Sequence, residues 1–443
     1  MRNLALSAAA AASFIGAVVA APATSGSFNC LSMNVAGIPE ILQSNDESGD
    51  KTTNTQTIGE KFSEYGYDFI HVQEDFNYHA TLYEYDNHTY RTATSGGVVL
   101  GSGLNTLANY DWIDFTRITW DDCSNASEDD CLTPKGFTFM RARLDDGVYI
   151  DLYNMHTDAG TEDDDETARN SNLQQVMDYI NTWSIGNVAI IFGDSNSRYT
   201  RTADNIRIFM NNGFSDSWVT EVEGGDPPAA GADAIVCDNP TLVNTCETVD
   251  KLFYRSNGFI ELTNNGFYYD SLRFLSDNAT TLTDHNPIRT EFSYSLNSTF
   301  RMSDFVGGPH GTWFSDFTTL RSLPSSPVVS TITLRGGSRL DSVAVTLSTG
   351  TTLTHGGTGG DASSLTFSSG EYITSAYLCQ GEYDSHTRLF YAKFTTTLGN
   401  TVSAGKTTDD CYSFTAQSGY GLVGFHGQDG DEIDQLAIVW GKK

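Results

Sequence analysis

Basic residues are scarce in this chain: 25 Lys and Arg stand against 56 Asp and Glu in 443 residues, a formal net charge of −31. A sheath that grips nucleic acid through its phosphates needs clustered Lys and Arg, so this composition argues against that mode. Proline is also sparse, at 10 against 41 glycines, which favours a turn-rich β or α/β protein. Past the N-terminus no stretch approaches the ~20 apolar residues that a membrane span needs. Thiolates and imidazoles are too few and too dispersed for a zinc cluster. Disorder is disfavoured as well, because 39% of the residues are hydrophobic and 12% aromatic.

What is present first sets a compartment. Met1-Arg2-Asn3 is followed by an apolar, small-residue run from Leu4 to Ala20, and Val18-Val19-Ala20 precedes Ala21-Pro22. Residues 1–20 therefore predict a secretory signal peptide and an extracellular, secreted protein. Four sequons, at Asn87, Asn125, Asn278 and Asn297, agree with a glycoprotein. Seven cysteines leave one over, and Cys123/Cys131, Cys237/Cys246 and Cys379/Cys411 are the natural local pairs in an oxidising compartment. Cys30, inside an apolar run, reads as a free buried cysteine.

The chain divides near residue 297. Before it, apolar runs such as residues 69–73 and 188–192 alternate with helical spacing at Leu173, Val176, Met177 and Ile180, which predicts a layered α/β domain over residues 27–296. After it, Thr, Ser and Gly dominate, and short alternating runs separated by glycine pairs predict an all-β domain over residues 301–443. That second part holds 9 of the 25 basic and 13 of the 56 acidic residues, so −27 of the −31 belongs to the first.

Within the first domain, polar residues repeatedly close apolar runs. They are Asn34, Glu74, His156, Asp194 and Asn196, with Asp250 and the pair Asp284-His285 preceding later runs. Strand ends of a layered α/β sheet converge on one rim, where ligands bind. Oxygen donors gathered there suit Mg²⁺, with Mn²⁺ or Ca²⁺ as the other hard ions such a set would take. Histidines beside carboxylates serve as proton carriers. Together they form a phosphoester hydrolysis set. Singly, each residue is better read as a turn residue or a structural histidine; the ordered series changes those odds.

The series Ser32-Met33-Asn34, Gln73-Glu74, Asn154-Met155-His156, Gly193-Asp194-Ser195-Asn196, Asp250-Lys251-Leu252 and Thr283-Asp284-His285 resembles the endonuclease/exonuclease/phosphatase superfamily. The flanks Lys135-Gly136-Phe137, Glu74-Asp75-Phe76 and His156-Thr157-Asp158-Ala159-Gly160 are most similar to the secreted neutral sphingomyelinase-like branch. The resemblance implies a four-layer α/β sandwich of the DNase I-like type and a Mg²⁺-dependent phosphodiesterase acting on a phospholipid or a nucleic acid. It further implies Asn34, Glu74 and Asp284 on the metal side, and His285 as general base oriented by Asp250. Asp194 and Asn196 would position water and phosphate, His156 would act on the leaving group or transition state, and Lys135 would pair with the phosphate. Ser195 and Thr283 depart from the family pattern, and the aromatic hairpin of bacterial sphingomyelinases is not evident; Phe267-Tyr268-Tyr269 and Phe274 read as core residues. The acidic run Glu162 to Glu166 reads as a solvated loop before a helix at Thr167, against a lid or a second cation site.

From Phe305 to Trp440 the pieces Gly307-Gly308, His355-Gly356-Gly357, Gly370-Glu371-Tyr372-Ile373 and Gly424-Phe425-His426-Gly427 resemble jacalin-type lectins. That implies an all-β prism domain that binds cell-surface glycans through Gly430, Asp431, Glu432 and Asp434. Two rivals remain open at this point: a DNase I-like nuclease, and a carbohydrate-binding protein whose hydrolase domain is inactive.

Overall fold

The computed structural model describes residues 23–42, 49–127, 130–323 and 326–443; the signal-peptide expectation lies outside these residues. Among the described residues, twelve strands build the first domain. They are β1 (Ser25–Asn34), β2 (Phe69–Gln73), β3 (Tyr90–Arg91), β4 (Asn105–Ala108), β5 (Trp112–Thr119), β6 (Gly136–Asp145), β7 (Val148–His156), β8 (Val188–Asp194), β9 (Ser215–Asp216), β10 (Asp250–Arg255), β11 (Ile260–Tyr269) and β12 (Ile288–Leu296). They form two six-stranded sheets, ordered β11-β12-β1-β2-β4-β3 and β5-β6-β7-β8-β10-β9.

The sheets stack face to face because their central strands are apolar on both sides. β8 is buried at all seven positions, and His71 of β2 stacks on Phe192 of β8 at 3.5 Å between ring centroids. Outside the first sheet lies helix α1 (Lys51–Tyr65), capped by Asp50, whose Oδ2 accepts from Thr53 N, and ended by Gly66 in the left-handed region. Its Ile58 and Phe62 pack on Leu31, Met33, Ile70 and Val72. Helix α2 (His79–Tyr85) follows on the same side, with its Leu82 in that cluster. Outside the second sheet lies α3 (Asp163–Trp183), burying Leu173, Val176, Met177 and Ile180, each worth roughly 1.5–3 kcal/mol on burial. The first domain is thus a four-layer α/β sandwich.

α3 begins four residues earlier than the sequence pattern suggests. Glu162 is its N-cap in a capping box with Asp165, so the acidic run is the first helical turn and not a loop before it. Carboxylates are favoured there by the free N–H groups and the helix dipole. Asp165 is buried and accepts from Ser127 Oγ at 2.6 Å.

From Phe300 onward the described residues are almost entirely β, with one short helix at Phe317–Ser322. Three antiparallel sheets, centred on Val329–Gly336 with Leu340–Leu347, Ile373–Tyr383 with His386–Thr396, and Tyr420–Asp429 with Ile433–Lys442, pack about shared apolar side chains including Leu334, Val343, Leu378, Phe394 and Phe425. This is the expected prism. The three cysteine pairs are disulfides, and Cys30 is free and buried between the sheets of the first domain. The four sequon asparagines are exposed, while Phe267 and Phe274 are core residues.

One carboxylate ties the prism's turns together. Glu371 accepts from Thr396 Oγ1, Ser368 N and Asn400 Nδ2, and these bonds hold its pKa down at about 2. A folded-state pKa below the ordinary 4.5 stabilises the fold above pH 4.5, and that contribution is lost as pH falls toward 2. Glu371→Gln is expected to lower the melting temperature at pH 7, with the gap to wild type narrowing between pH 4.5 and pH 3. A gap that widens in acid would refute this.

The prism docks on the end of the sandwich where β7 and β8 begin. His426 Nε2 lies 2.9 Å from Asn187 Oδ1, Trp313 Nε1 donates to Ile185 O at 2.9 Å, and Asp304 accepts from Arg143 Nη2 at 2.8 Å. Because β7 and β8 are parallel and in register from Ile150↔Val188 to His156↔Asp194, their opposite ends share the other rim.

Candidate active site

That far rim collects the polar residues of the sequence series. β1 ends at Asn34, β2 leads into Glu74, β7 ends at His156 and β8 at Asp194. β10 runs antiparallel to β8 with Asp250 opposite Asp194, and β12 starts just after His285. Beneath them the two sheets are bridged by a buried polar pair, Gln73 Nε2 donating to Asn154 Oδ1 at 2.7 Å, which fixes the sandwich spacing under the site. Gln73 and Asn154 therefore serve the scaffold of their motifs.

Asn34 links the two halves: its Nδ2 donates to Glu74 Oε1 at 3.1 Å and to Asp194 Oδ2 at 3.3 Å. Its Oδ1 accepts from Ala36 N. Glu74 sits at φ +56°, in the left-handed region where a non-glycine residue is strained. The turn over it requires Gly37, since a Cβ there would stand 2.3 Å from Glu74 O. Glu74 is buried, its Oε2 has no hydrogen-bond partner, and burial raises its pKa against the pull of Lys135.

Two histidines flank this carboxylate core. His285 Nδ1 donates to Asp250 Oδ2 at 2.9 Å, and its Nε2 lies 3.7 Å from Asp194 Oδ2. Burial works against its charge, but Asp250 and Asp194 outweigh burial and lift its pKa well above the ordinary value. On the other side His156 Nε2 is 3.2 Å from Lys135 Nζ and 3.6 Å from Asp194 Oδ2. Burial, with Lys135 and His285 nearby, keeps His156 neutral by pushing its pKa well down. Lys135 is partly buried, yet its ion pair with Asp130 more than offsets the loss of solvent and holds it protonated. Asn196, at φ +47°, donates its backbone N–H to Asp194 Oδ1 and its Nδ2 to Thr157 O, which orients Asp194 from outside. Asp284 lies next to His285 at the exposed edge, near enough to Glu74 to raise its pKa.

The donor set fits a hard divalent cation. Glu74 Oε2 and Asp250 Oδ1 are buried carboxylate oxygens without partners, an arrangement that is costly unless a cation or a proton satisfies it. Among the described residues, Asp194, Asp250 and His285 are a group whose ligand atoms lie within 4.8 Å of one another. The expected metal side, Asn34, Glu74 and Asp284, is a neighbouring set joined to it through the Asn34 amide. Asp130 went unnoticed in the sequence. Its only sequence signal is adjacency to Cys131, whose bond to Cys123 anchors the loop that brings it to Lys135.

In the prism, the turn between Tyr420–Asp429 and Ile433–Lys442 carries three of the expected glycan residues, Gly430, Asp431 and Glu432, and Asp434 is the second residue of the strand that follows. Gly430 and Asp431 are exposed. Asp434 is buried, its Oδ1 accepts from Arg388 Nη1 at 2.6 Å, and burial pushes its pKa up to about 6. Glu432 faces inward and pairs with Arg339 and Arg388. Those arginines lie 93 and 46 residues from their partners, out of reach of any local pattern.

Comparison with known proteins fits this geometry. Residues 28–222 match the Endonuclease/Exonuclease/phosphatase family 2 model, and residues 303–439 match the Jacalin-like lectin domain. The chain joins an endonuclease/exonuclease/phosphatase family domain to a jacalin-like lectin domain. Sphingomyelinases of Mycobacterium bovis and Mycobacterium tuberculosis are each 34% identical over 282 residues, covering 61% of this chain and 53% of theirs. The chain thus spans about half the length of these curated relatives. Among solved structures, a functionally unknown conserved protein from Enterococcus faecalis aligns over 60% of this chain and 98% of its own, at 14% identity and TM-score 0.44. A mannose binding jacalin related lectin from Ananas comosus aligns over 32% of this chain and 99% of its own, at 19% identity and TM-score 0.28.

Proposed function

We propose that this is an exported, divalent-metal-dependent phosphodiesterase of the sphingomyelinase-like type, held at glycosylated surfaces by its lectin domain. The observation that carries the reading is the pair of opposed histidine systems, Asp250–His285 and Lys135–His156, on either side of Asp194. The 34% identity to sphingomyelinases favours a phospholipid over DNA, as does the −27 on the first domain.

His285, in its neutral form, is the general base: Asp250 holds the proton on Nδ1, so the unprotonated Nε2 faces the site and takes the proton of the attacking water. Asp194, aligned by Asn34 and Asn196, holds that water and the imidazolium that forms. Lys135 is the positive charge opposite, where it meets the phosphate and the leaving oxygen, while neutral His156 accepts from Lys135 and keeps it aimed. Glu74, beside Asn34 and Asp284, would hold Mg²⁺, with Mn²⁺ or Ca²⁺ as substitutes. Such an ion polarises a phosphoryl oxygen and offsets the charge that develops on it. The lectin domain, gripping glycans at the loop of Gly430 and Asp434, raises the local concentration of enzyme over its substrate.

The test is a cleavage panel of sphingomyelin, phosphatidylinositol, plasmid DNA and a nitrophenyl phosphodiester, with Mg²⁺ and then EDTA. Metal-dependent cleavage of sphingomyelin and of the soluble diester is expected. Cleavage of DNA alone would transfer the site to a nuclease. Glycan binding with no cleavage of any substrate would leave a lectin with an inactive hydrolase domain.

A further inference from the structure

The linker between the domains runs along a groove of about 410 Å³ that both of them build. The first domain contributes Asp146 and Gly147, from the turn between β6 and β7, and Leu296 at the end of β12. The prism contributes Arg301, Phe414 and Gln417, and two buried rings, Phe259 and Trp440, complete the apolar wall. The backbones meet closely here: Gly147 lies at φ +68°, and a Cβ on it would stand 2.0 Å from Met302 O.

Rings on one side and a guanidinium with an amide on the other make the groove amphipathic. A pyranose is amphipathic in the same way, with C–H groups on its faces and hydroxyls or an amide on its edge. Arg301 also has a donor to give. Its Nη1 donates to Asn297 O at 2.6 Å and to Phe300 O at 2.5 Å, but its Nε is buried without a hydrogen-bond partner. An unpaired buried donor is costly, and a sugar oxygen in the groove would satisfy it.

The sequon Asn297-Ser298-Thr299 stands directly at this wall, between Leu296 and Arg301. It is a fixed turn. Asn297 N donates to Phe259 O at 2.7 Å, its Oδ1 accepts from Thr299 N at 2.8 Å, and Ser298 O accepts from Tyr420 Oη. Asn297 is exposed, and its Nδ2, the atom that carries an N-linked glycan, donates to no group among the described residues. Asn125 also borders a cavity, of about 520 Å³, but no aromatic side chain lines that one. Tethering decides which sugar occupies the groove. A glycan anchored at its edge is present at an effective concentration of about millimolar, so weak contacts suffice to seat it.

We propose that Asn297 is N-glycosylated and that the first N-acetylhexosamine units of its glycan lie in this groove, against Phe414 and Arg301, bracing the two domains. In the modification Nδ2 bonds to the anomeric carbon of an oligosaccharide carried on a lipid diphosphate. Nδ2 gives up one proton, and the lipid diphosphate leaves. The proposal rests on the export part of the reading above and is independent of the hydrolase chemistry.

The test is site-by-site mass spectrometry of the full chain secreted from a eukaryotic host. The protein is digested, native and then denatured, with an endoglycosidase that cuts between the two core sugars. Asn297 is expected to be occupied, and its glycan to be released at least about tenfold more slowly from native than from denatured protein. Glycans at Asn87, Asn125 and Asn278, where present, should be released at similar rates in both. Phe414→Ser opens the groove and Ser413→Trp, at an exposed lining position, fills it. Both should leave occupancy unchanged and remove the protection, and Ser413→Trp keeps the test readable if Phe414→Ser folds poorly. In Asn297→Gln, free di-N-acetylchitobiose should bind the groove at about millimolar concentration or weaker. Micromolar binding lost in Ser413→Trp would make it a site for foreign glycans and overturn the proposal. So would an empty Asn297 beside occupied sequons, equal release from native and denatured protein, or protection that survives both groove variants. A chain retained in the cell with no glycan at all loses the export reading as well, whereas a secreted chain glycosylated only elsewhere loses the Asn297 proposal alone.

Discussion

His285→Ala is expected to lower kcat/KM on a soluble phosphodiester by roughly 10²–10⁴, the usual contribution of a positioned general base, with the loss in kcat and little change in KM. The size follows from the environment of the ring. Its Nδ1 is committed to Asp250, so the tautomer is set and only Nε2 faces the cleft. The His285 side chain keeps 18% of its surface exposed against 2% for His156, which makes it the histidine that water can reach. His156, buried and held neutral beside Lys135, is in no position to replace it. Asp250→Asn should reproduce much of the defect while leaving the ring in place, because the amide cannot hold the Nδ1–H tautomer as a carboxylate does. Melting temperature and glycan binding of both variants are expected to match wild type, which separates loss of chemistry from loss of fold. Activity of His285→Ala within threefold of wild type would remove His285 from the reaction.

The strand-end residues were legible because they break a rule: each interrupts an apolar run where a two-sided buried strand has no use for a polar residue. Asn34, Glu74, His156 and Asp194 meet at one rim because parallel neighbours share their ends, and this follows once the runs are recognised as strands. What sets their chemistry was not legible. The Asp130 partner that keeps Lys135 protonated depends on the path of a disulfide-closed loop, and the left-handed turn at Glu74 depends on the close approach of Gly37. In the prism, local pattern marks Glu432 and Asp434 as ligands, yet Glu432 is occupied by two arginines that are distant in sequence. The start of α3 is not legible locally because five consecutive acids look like a solvated loop until a capping box makes them a cap and a helical turn. His426 sat in a matched motif, but nothing local shows that its ring reaches Asn187 in the other domain.

That interdomain contact leads to the largest expected effect on stability. Arg141 of β6 is fully buried and donates to Asp151 of β7 through Nε at 2.8 Å and Nη2 at 2.9 Å. Asp151 also accepts from Ser184 Oγ and Asn187 Nδ2, and Trp313 of the lectin domain covers the guanidinium at 3.5 Å. Arg141→Met keeps much of the apolar stem but leaves the Asp151 charge buried without its counter-ion, a defect worth about 3–5 kcal/mol. At roughly 2–4 °C per kcal/mol for a domain of this size, a fall in melting temperature on the order of 10 °C is expected. The shape of the transition is as informative as its position. The Arg141–Asp151 pair lies in the first domain and its lid in the second, with His426–Asn187 and Arg143–Asp304 alongside, so the two domains share one buried boundary and should melt together. Trp313→Ala should therefore shift the melting of the first domain although it changes only the second, by removing the aromatic cover from a buried cation. Two calorimetric transitions in wild type, with only the earlier one moved by Arg141→Met, would show instead that each domain stands without the other.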